Sequence, residues 1–242
     1  DGPDASTHDR FRQVRGAYEG SIRGMDELKK EGIEFQINTT ITRHNVDMVQ
    51  AMLDLAVKLG AAAHHIFLLV PTGRAKDMVD QEISAEEYER ILHWFYDMRS
   101  AVPIHLKATC APHFYRVLRQ EAHKKGEKVD VATYGLDAMT RGCLGGTSFC
   151  FISHVGTVQP CGYLELPSGD LTRATFKEVW EGSPVFTKLR DFSNYKGKCG
   201  VCEFVKFCGG CRARAFEATG DFLEEEPLCM YQPSRKALHG CH

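Results

Sequence analysis

The stretch from Lys198 to Arg214, KCGVCEFVKFCGGCRAR, sets four thiols, Cys199, Cys202, Cys208 and Cys211, at C-x2-C-x5-C-x2-C spacing. Four soft ligands packed this closely are a metal site before they are anything else. A Cys-x-x-Cys step lets both sulfurs reach one centre, and the glycines at 200, 209 and 210 let the backbone turn tightly around it. Cys143, Cys150 and Cys161 precede the stretch and Cys229 follows it. Eight thiolates suffice for two four-ligand centres, either a pair of iron–sulfur clusters or a pair of structural zincs. Zinc ribbons usually place many more than five residues between their two knuckles, so the short gap suits thiols divided between two clusters. The same Cys-x-x-Cys pairs fit metal ligation better than five disulfides of a secreted chain.

The rest of the composition narrows the class. With 242 residues the chain can bury a sizeable core, and a formal net charge of −2 gives no basic bias toward nucleic acid or an acidic membrane surface. No apolar run approaches the roughly 18 to 20 residues that span a bilayer, and DGPDASTHDRFR has no signal-peptide character.

Up to about residue 108 the pattern alternates. Tyr18, Ile22, Met25 and Leu28 form one helical stripe that ends before Gly32, and IEFQINTTIT at 33–42 reads as a strand. Val46, Val49, Leu53, Ala56 and Val57 repeat at helical spacing up to Gly60; HHIFLLV at 64–70 is a second strand, stopped at Pro71-Thr72-Gly73. Ser84 and Glu87 form a capping box that opens a third helix, and 104–109 reads as a third strand. Such alternation predicts an α/β fold with a parallel sheet, whose active groups gather at the carboxyl ends of the strands, near 38–42, 70–74 and 107–110. Beyond Cys110 the alternation stops. A helix is expected over 112–125, a hairpin from 149–153 and 157–162 carrying Cys150 and Cys161, and short helices at 175–180 and 184–191.

The cysteines also follow a known order: Cys143-x12-Gly156-x4-Cys161, a gap, Cys199, Cys202, Cys208 and Cys211, a second gap, and Cys229. In this the chain resembles the radical S-adenosylmethionine (SAM) enzymes with a C-terminal SPASM domain, whose pattern is C-x9-15-G-x4-C, then C-x2-C-x5-C-x3-C, then a last Cys. It departs in having two residues, not three, between Cys208 and Cys211. Asp1-Gly2-Pro3 with His8, Asp9 and Arg12 is similar to the segment after the fourth barrel strand of these enzymes, and PTGRA at 71–75 to the end of their sixth. The C-x3-C-x2-C loop that binds the SAM-cleaving cluster does not occur. The expectation is therefore the C-terminal two-thirds of such an enzyme, unable to cleave SAM alone: part of a partial parallel (β/α)6 barrel over 1–125, then a SPASM domain over 126–242 with a hairpin and short helices. TCAPHFYR at 109–116, SHVGTVQPCGYLEL at 153–166 and the pair CGGCRARA with GDFLEEEPLC resemble the enzymes that modify sirohaem-derived tetrapyrroles, in haem d1 biosynthesis and as the 12,18-didecarboxysirohaem deacetylase of the alternative haem pathway.

The resemblance implies two auxiliary [4Fe–4S] clusters. Cys199, Cys202, Cys208 and Cys229 would hold the second, and Cys143, Cys150, Cys161 and Cys211 the first. SAM and a third [4Fe–4S] cluster would be bound mainly by the absent part, with ferredoxin or flavodoxin as electron donor in a reducing cytoplasm. The implied reaction is that of a radical SAM oxidoreductase or lyase: a 5′-deoxyadenosyl radical abstracts hydrogen from an acetate or propionate side chain of an iron porphyrinoid, and the substituent is then lost. Arg12, for the SAM carboxylate, and Arg74 are the candidate cofactor-binding residues. Arg74, Lys107 and Arg116 are candidate cations for substrate carboxylates, against the alternative of solvated surface charges. Cys110, His113 and Arg116 are the candidate catalytic residues, Cys110 against the alternative of a buried structural thiol. His64 and His65 read as core or surface residues, and Cys241-His242 as without a role. Two other functions stay open: a radical SAM maturase of peptides or proteins, and a zinc-stabilised module without catalysis. Peptide maturases often carry Asp after the cysteine matching Cys161, and this chain has Gly162.

Overall fold

The structure, a computed structural model, describes residues 1–234. The chain forms two compact units, Asp1–Leu69 with Met78–Ala111, and Val70–Asp77 with the chain from Pro112 onward. The division at 111/112 falls ahead of the 125/126 boundary drawn from the sequence.

In the first unit the elements are α1 (Ala5–Arg12), α2 (Ala17–Lys30), β1 (Gln36–Ile41), α3 (Val49–Lys58), β2 (Ala63–Leu68), α4 (Ala85–Met98) and β3 (His105–Thr109). The three strands pair in parallel in the order β1-β2-β3, so each helical crossover returns the chain to the same sheet. Register places Asn38 beside His65 and His65 beside Lys107. Because side chains alternate across a strand, one face collects Thr39, Ile41, His64, Ile66, Leu68, Leu106 and Ala108, all buried. The other face carries Gln36, Asn38, His65, His105 and Lys107, exposed or half-buried. Val49, Met52, Leu53 and Ala56 of α3, with Tyr88, Ile91, Leu92, Phe95 and Tyr96 of α4, supply the rest of the core. Among the described residues the sheet is open and does not close into a barrel. The α2 stripe of Tyr18, Ile22, Met25 and Leu28 is half-buried as its spacing requires, and the remainder of that helix is exposed apart from Ala17.

The capping box is formed: Ser84 Oγ accepts the Glu87 N–H at 3.2 Å and the Glu87 carboxylate accepts the Ser84 N–H at 2.9 Å. The start of the chain is pinned to β1, where Asp1 Oδ1 accepts the Thr40 N–H at 2.7 Å and Asn45 Nδ2 donates to the Asp1 carbonyl at 2.9 Å.

The second unit contains α5 (Phe114–Lys124), α6 (Val131–Tyr134), β4 (Phe151–Ile152), β5 (Thr157–Gln159), β6 (Gly169–Asp170), α7 (Phe176–Gly182), α8 (Pro184–Arg190), α9 (Gly197–Gly200) and α10 (Arg212–Thr219). The expected hairpin is present as β4 and β5, shorter than its sequence span, and β6 adds a third antiparallel strand. Its buried apolar residues include Phe114, Val117, Leu118 and Ala122 of α5 and Leu189 of α8, and two further local clusters stand out. Val158, Val179 and Phe186 pack with Cys150 and Trp180, and Tyr195, Cys199 and Leu223 pack with Phe192, Val205 and Phe222.

Leu53 is fully buried in α3. Leu53→Ala is expected to destabilise the first unit by about 2–5 kcal/mol, measured by urea unfolding, while leaving metal content unchanged.

Candidate metal centres

One cavity of the second unit is bordered by four sulfurs, those of Cys199, Cys202, Cys208 and Cys229, together with His113, Arg116, Lys198 and Tyr231. Short local bonds bring these distant positions together. Cys199 lies in α9, whose Lys198 N–H donates to Glu225 Oε2 at 2.6 Å. A chain of turns carries Cys202 back onto Cys199 and Cys208 onto Phe204. The Lys198 ammonium donates to the Cys229 carbonyl at 2.6 Å, tying the last cysteine to the first. The Gly210 N–H points at Cys208 Sγ at 3.4 Å. Gly209 and Gly210 both adopt positive φ, 74° and 59°, and a Cβ at Gly210 would run into the Arg212 guanidinium and stand 3.2 Å from Cys199 Sγ.

Cys143, Cys161 and Cys211 make a second set. The Gly142 N–H donates to the Phe207 carbonyl at 2.8 Å and the Cys143 N–H to that of Cys208 at 3.1 Å, which lays Cys143 alongside the cysteine-rich loop. Cys211 is the N-cap of α10. Electrostatics separates the same two sets. Burial pushes Cys161 up to about 12, with Cys143 and Cys211 adding to the rise. Burial likewise raises Cys211, with Arg214 opposing and Cys143 reinforcing. In the cavity set burial takes Cys202 to about 11, and Cys199 and Cys229 contribute. Cys208 is raised by burial and then by the same two neighbours. Thiols so placed keep their protons unless a cation compensates the thiolate, so these donors suit bound metal and not free thiolate chemistry. Among the described residues no three His, Cys, Asp or Glu side chains are gathered around a single-ion site, and the four cavity thiols border a void instead. Cys150 lies apart, packed on the Val158–Val179–Phe186 cluster, its thiol raised by burial alone.

Two of the cations around these thiols, Arg212 and Arg214, were not singled out by sequence reasoning. Arg212 is 2% exposed and Arg214 1%. The Arg212 guanidinium donates to the carbonyls of Gly210, Phe222 and Glu224 and to Cys199 Sγ at 3.6 Å, and lies over the Tyr195 ring. None of these partners is a carboxylate, so its charge is placed to compensate sulfur. Arg214 donates to Glu226 Oε1 at 2.7 Å, and His113 Nε2 stands 2.9 Å from Glu226 Oε2. Burial alone would raise the Glu226 carboxyl, but His113 and Arg214 outweigh it and hold it at about 2. The available signal was the Arg-x-Arg directly after Cys211 and the acidic run before Cys229.

The other candidates fall elsewhere. His113 and Arg116, expected at a strand mouth, are buried in the second unit at 1% and 2% exposure, Arg116 beside the thiol cavity and over the Tyr231 ring. Lys107 is exposed within β3, in the row with His65 and Asn38. Arg74 is exposed in a 3-10 stretch, Gly73–Gln81. Arg12 pairs with Asp1 at 2.5 Å, while Asp9 accepts the N–H groups of Gly16 and Tyr18. Arg12 also lines a first-unit cavity with His8, Tyr18, Asn38 and Thr39. Cys110 is half-buried with φ of 55°. His64 is buried with Nε2 2.9 Å from Thr39 Oγ1, and burial lowers it to about 4, so it stays neutral. Cys241 and His242 lie outside the described residues.

Residues 143–211 match the SPASM family, an iron-sulfur cluster-binding domain. The chain is 57% identical over 97% of its length to the AdoMet-dependent heme synthase of Nitratidesulfovibrio vulgaris, covering 64% of that protein, and 53% identical over 98% of its length to that of Methanosarcina barkeri, covering 67%. It thus spans about two-thirds of the length of these curated relatives. The crystal structure of Streptococcus suis SuiB bound to precursor peptide SuiA matches 90% of this chain and 49% of that one at a TM-score of 0.64 and 15% identity, a likeness of fold. The chain belongs to the radical SAM proteins with a SPASM domain, in the family of the AdoMet-dependent heme synthases.

Removing the Glu226 charge takes away the buried carboxylate that faces both His113 and Arg214. Glu226→Gln is expected to destabilise the protein at pH 7 by about 3–5 kcal/mol in urea unfolding. Because the folded-state carboxyl lies below its ordinary value of 4.5, its contribution is complete above that value and lost as pH falls toward about 2. The gap between wild type and variant is therefore expected to close over that window.

Proposed function

We propose that this chain forms the auxiliary-cluster part of a radical SAM enzyme of haem biosynthesis, which removes acetate- or propionate-derived side chains from a sirohaem-derived iron porphyrinoid. The observation that carries the reading is the sorting of the thiols, with Cys199, Cys202, Cys208 and Cys229 around one void and Cys143, Cys161 and Cys211 beside one another, in a chain more than half identical to AdoMet-dependent heme synthases. On this reading the first set holds one [4Fe–4S] cluster and the second set the other. Cys150 is the fourth cysteine proposed for the latter, and its thiol packs on the Val158–Val179–Phe186 cluster as Cys199 of the other set packs on Tyr195 and Leu223.

With SAM and its own cluster bound, the enzyme would have a 5′-deoxyadenosyl radical for hydrogen abstraction from the substrate side chain. This chain's residues bind and orient. In the first unit the polar sheet face offers Lys107 and His65 as donors to substrate carboxylates, with Asn38 in the same row. The Asp1–Arg12 pair, half-exposed on its arginine side, borders a cavity of suitable polarity for the amino-acid end of SAM. Arg74 is exposed in the second unit. A soluble one-electron donor such as ferredoxin or flavodoxin and a reducing cytoplasm complete the proposal, and no helix among the described residues is long and apolar enough to cross a membrane.

Anaerobic purification is expected to yield brown protein with broad absorption near 400 nm and about eight irons in this part of the chain. Cys229→Ser and Cys211→Ser should each deplete a different cluster. A colourless protein holding zinc would refute the reading. Titration of the anaerobic full-length enzyme with didecarboxysirohaem should show saturable binding, weakened about tenfold or more in Lys107→Ala. Binding of a leader peptide and not of any iron porphyrinoid would instead establish a peptide maturase.

A further inference from the structure

Arg212 touches one set of thiols and follows a member of the other in the chain. Its guanidinium is 3.6 Å from Cys199 Sγ in the cavity set, and its backbone follows Cys211, the N-cap of α10, in the other. It is 2% exposed, and its remaining hydrogen bonds go to the carbonyls of Gly210, Phe222 and Glu224. Carbonyl oxygens solvate the guanidinium but carry no net charge, so a buried cation here calls for an anion. Glu226, the buried carboxylate of this region, is committed to Arg214 and His113. The anions left in reach are the sulfurs. Cys199 interacts with Arg212 most strongly, and Cys143 and Cys211 also do. The Tyr195 ring beneath the guanidinium, 4.7 Å from it, likewise feels thiols of both sets, Cys143 and Cys199. Gly210 makes the approach possible, since any side chain there would displace the Arg212 Nη2 group.

Resting on the two-cluster reading above, we propose that Arg212 is a counter-ion shared by both clusters, a positioning residue that raises the reduction potential of each by stabilising the extra negative charge of its reduced state. The effect should be larger on the cluster of Cys199, to whose sulfur the guanidinium also donates a hydrogen bond. Arg214 and Arg116 do not have this double reach. Arg214 is neutralised by Glu226, and Arg116 acts on Cys208 and Cys229 of the cavity set.

The test is an EPR-monitored redox titration of the anaerobic full-length enzyme, following the two clusters whose signals SAM does not change. Iron content of the wild type comes first: without about eight irons in the auxiliary clusters, it is the two-cluster reading that fails. With them present, Arg212→Gln and Arg212→Met are expected to make both clusters harder to reduce, the more affected by about tenfold or more in its reduction equilibrium, about 59 mV for one electron. Arg212→Lys, which keeps the charge, should hold both potentials nearer to wild type than the neutral variants do. Should both neutral variants fail to take up iron while Arg212→Lys loads fully with near-wild-type potentials, the requirement for charge is supported by that route. Unmoved potentials in a loaded neutral variant, a shift confined to one cluster, or loss of iron from Arg212→Lys as well would each overturn the proposal.

Discussion

The second unit depends on one constraint: sulfur ligands that become anionic are buried where water cannot solvate them. Burial raises Cys161, Cys202, Cys208, Cys211 and Cys229 above the ordinary thiol range, so these thiols stay protonated unless positive charge compensates the thiolate. Positive charge is built into the fold here: Arg116, Arg212 and Arg214 are all buried near these sulfurs, and Arg214 pairs with Glu226. Several of the bonds that close the unit run through the cysteine loop itself. The first unit is held by a core of α3 and α4 side chains over a parallel sheet.

The first unit was largely legible from periodicity. The α2 stripe, the three strands and the Ser84–Glu87 cap all appear, with ends shifted by a few residues, because burial on one face imposes a regular pattern on the residues. α1 escaped notice: ASTHDRFR has no apolar stripe and owes its start to the Asp4 cap. α10 was missed for a related reason. Its buried residues include Arg212 and Arg214, so a helix with an inward face reads as polar throughout.

At the site, Cys199, Cys202, Cys208 and Cys229, grouped in the sequence by resemblance to a known cysteine order, line one cavity in the structure. The placement of His113 and Arg116 was not legible in the sequence, since both follow a strand end and by that rule belong at its mouth. In the structure they begin a helix of the second unit, His113 facing Glu226 and Arg116 lining the thiol cavity. Nothing in the local sequence near residue 113 records a partner more than a hundred positions away. Buried charge networks of this kind are legible only when both partners are in view.

The central claim is that the sulfur ligands interleave along the chain, Cys211 leaving the run of four and Cys229 replacing it. An iron anomalous difference map from crystals of the full-length enzyme grown without oxygen tests it most directly. The account predicts one iron centre bonded to Cys199, Cys202, Cys208 and Cys229 and a separate one bonded to Cys143, Cys161 and Cys211. One centre bonded to Cys199, Cys202, Cys208 and Cys211 together, with Cys229 remote from any iron, would contradict it.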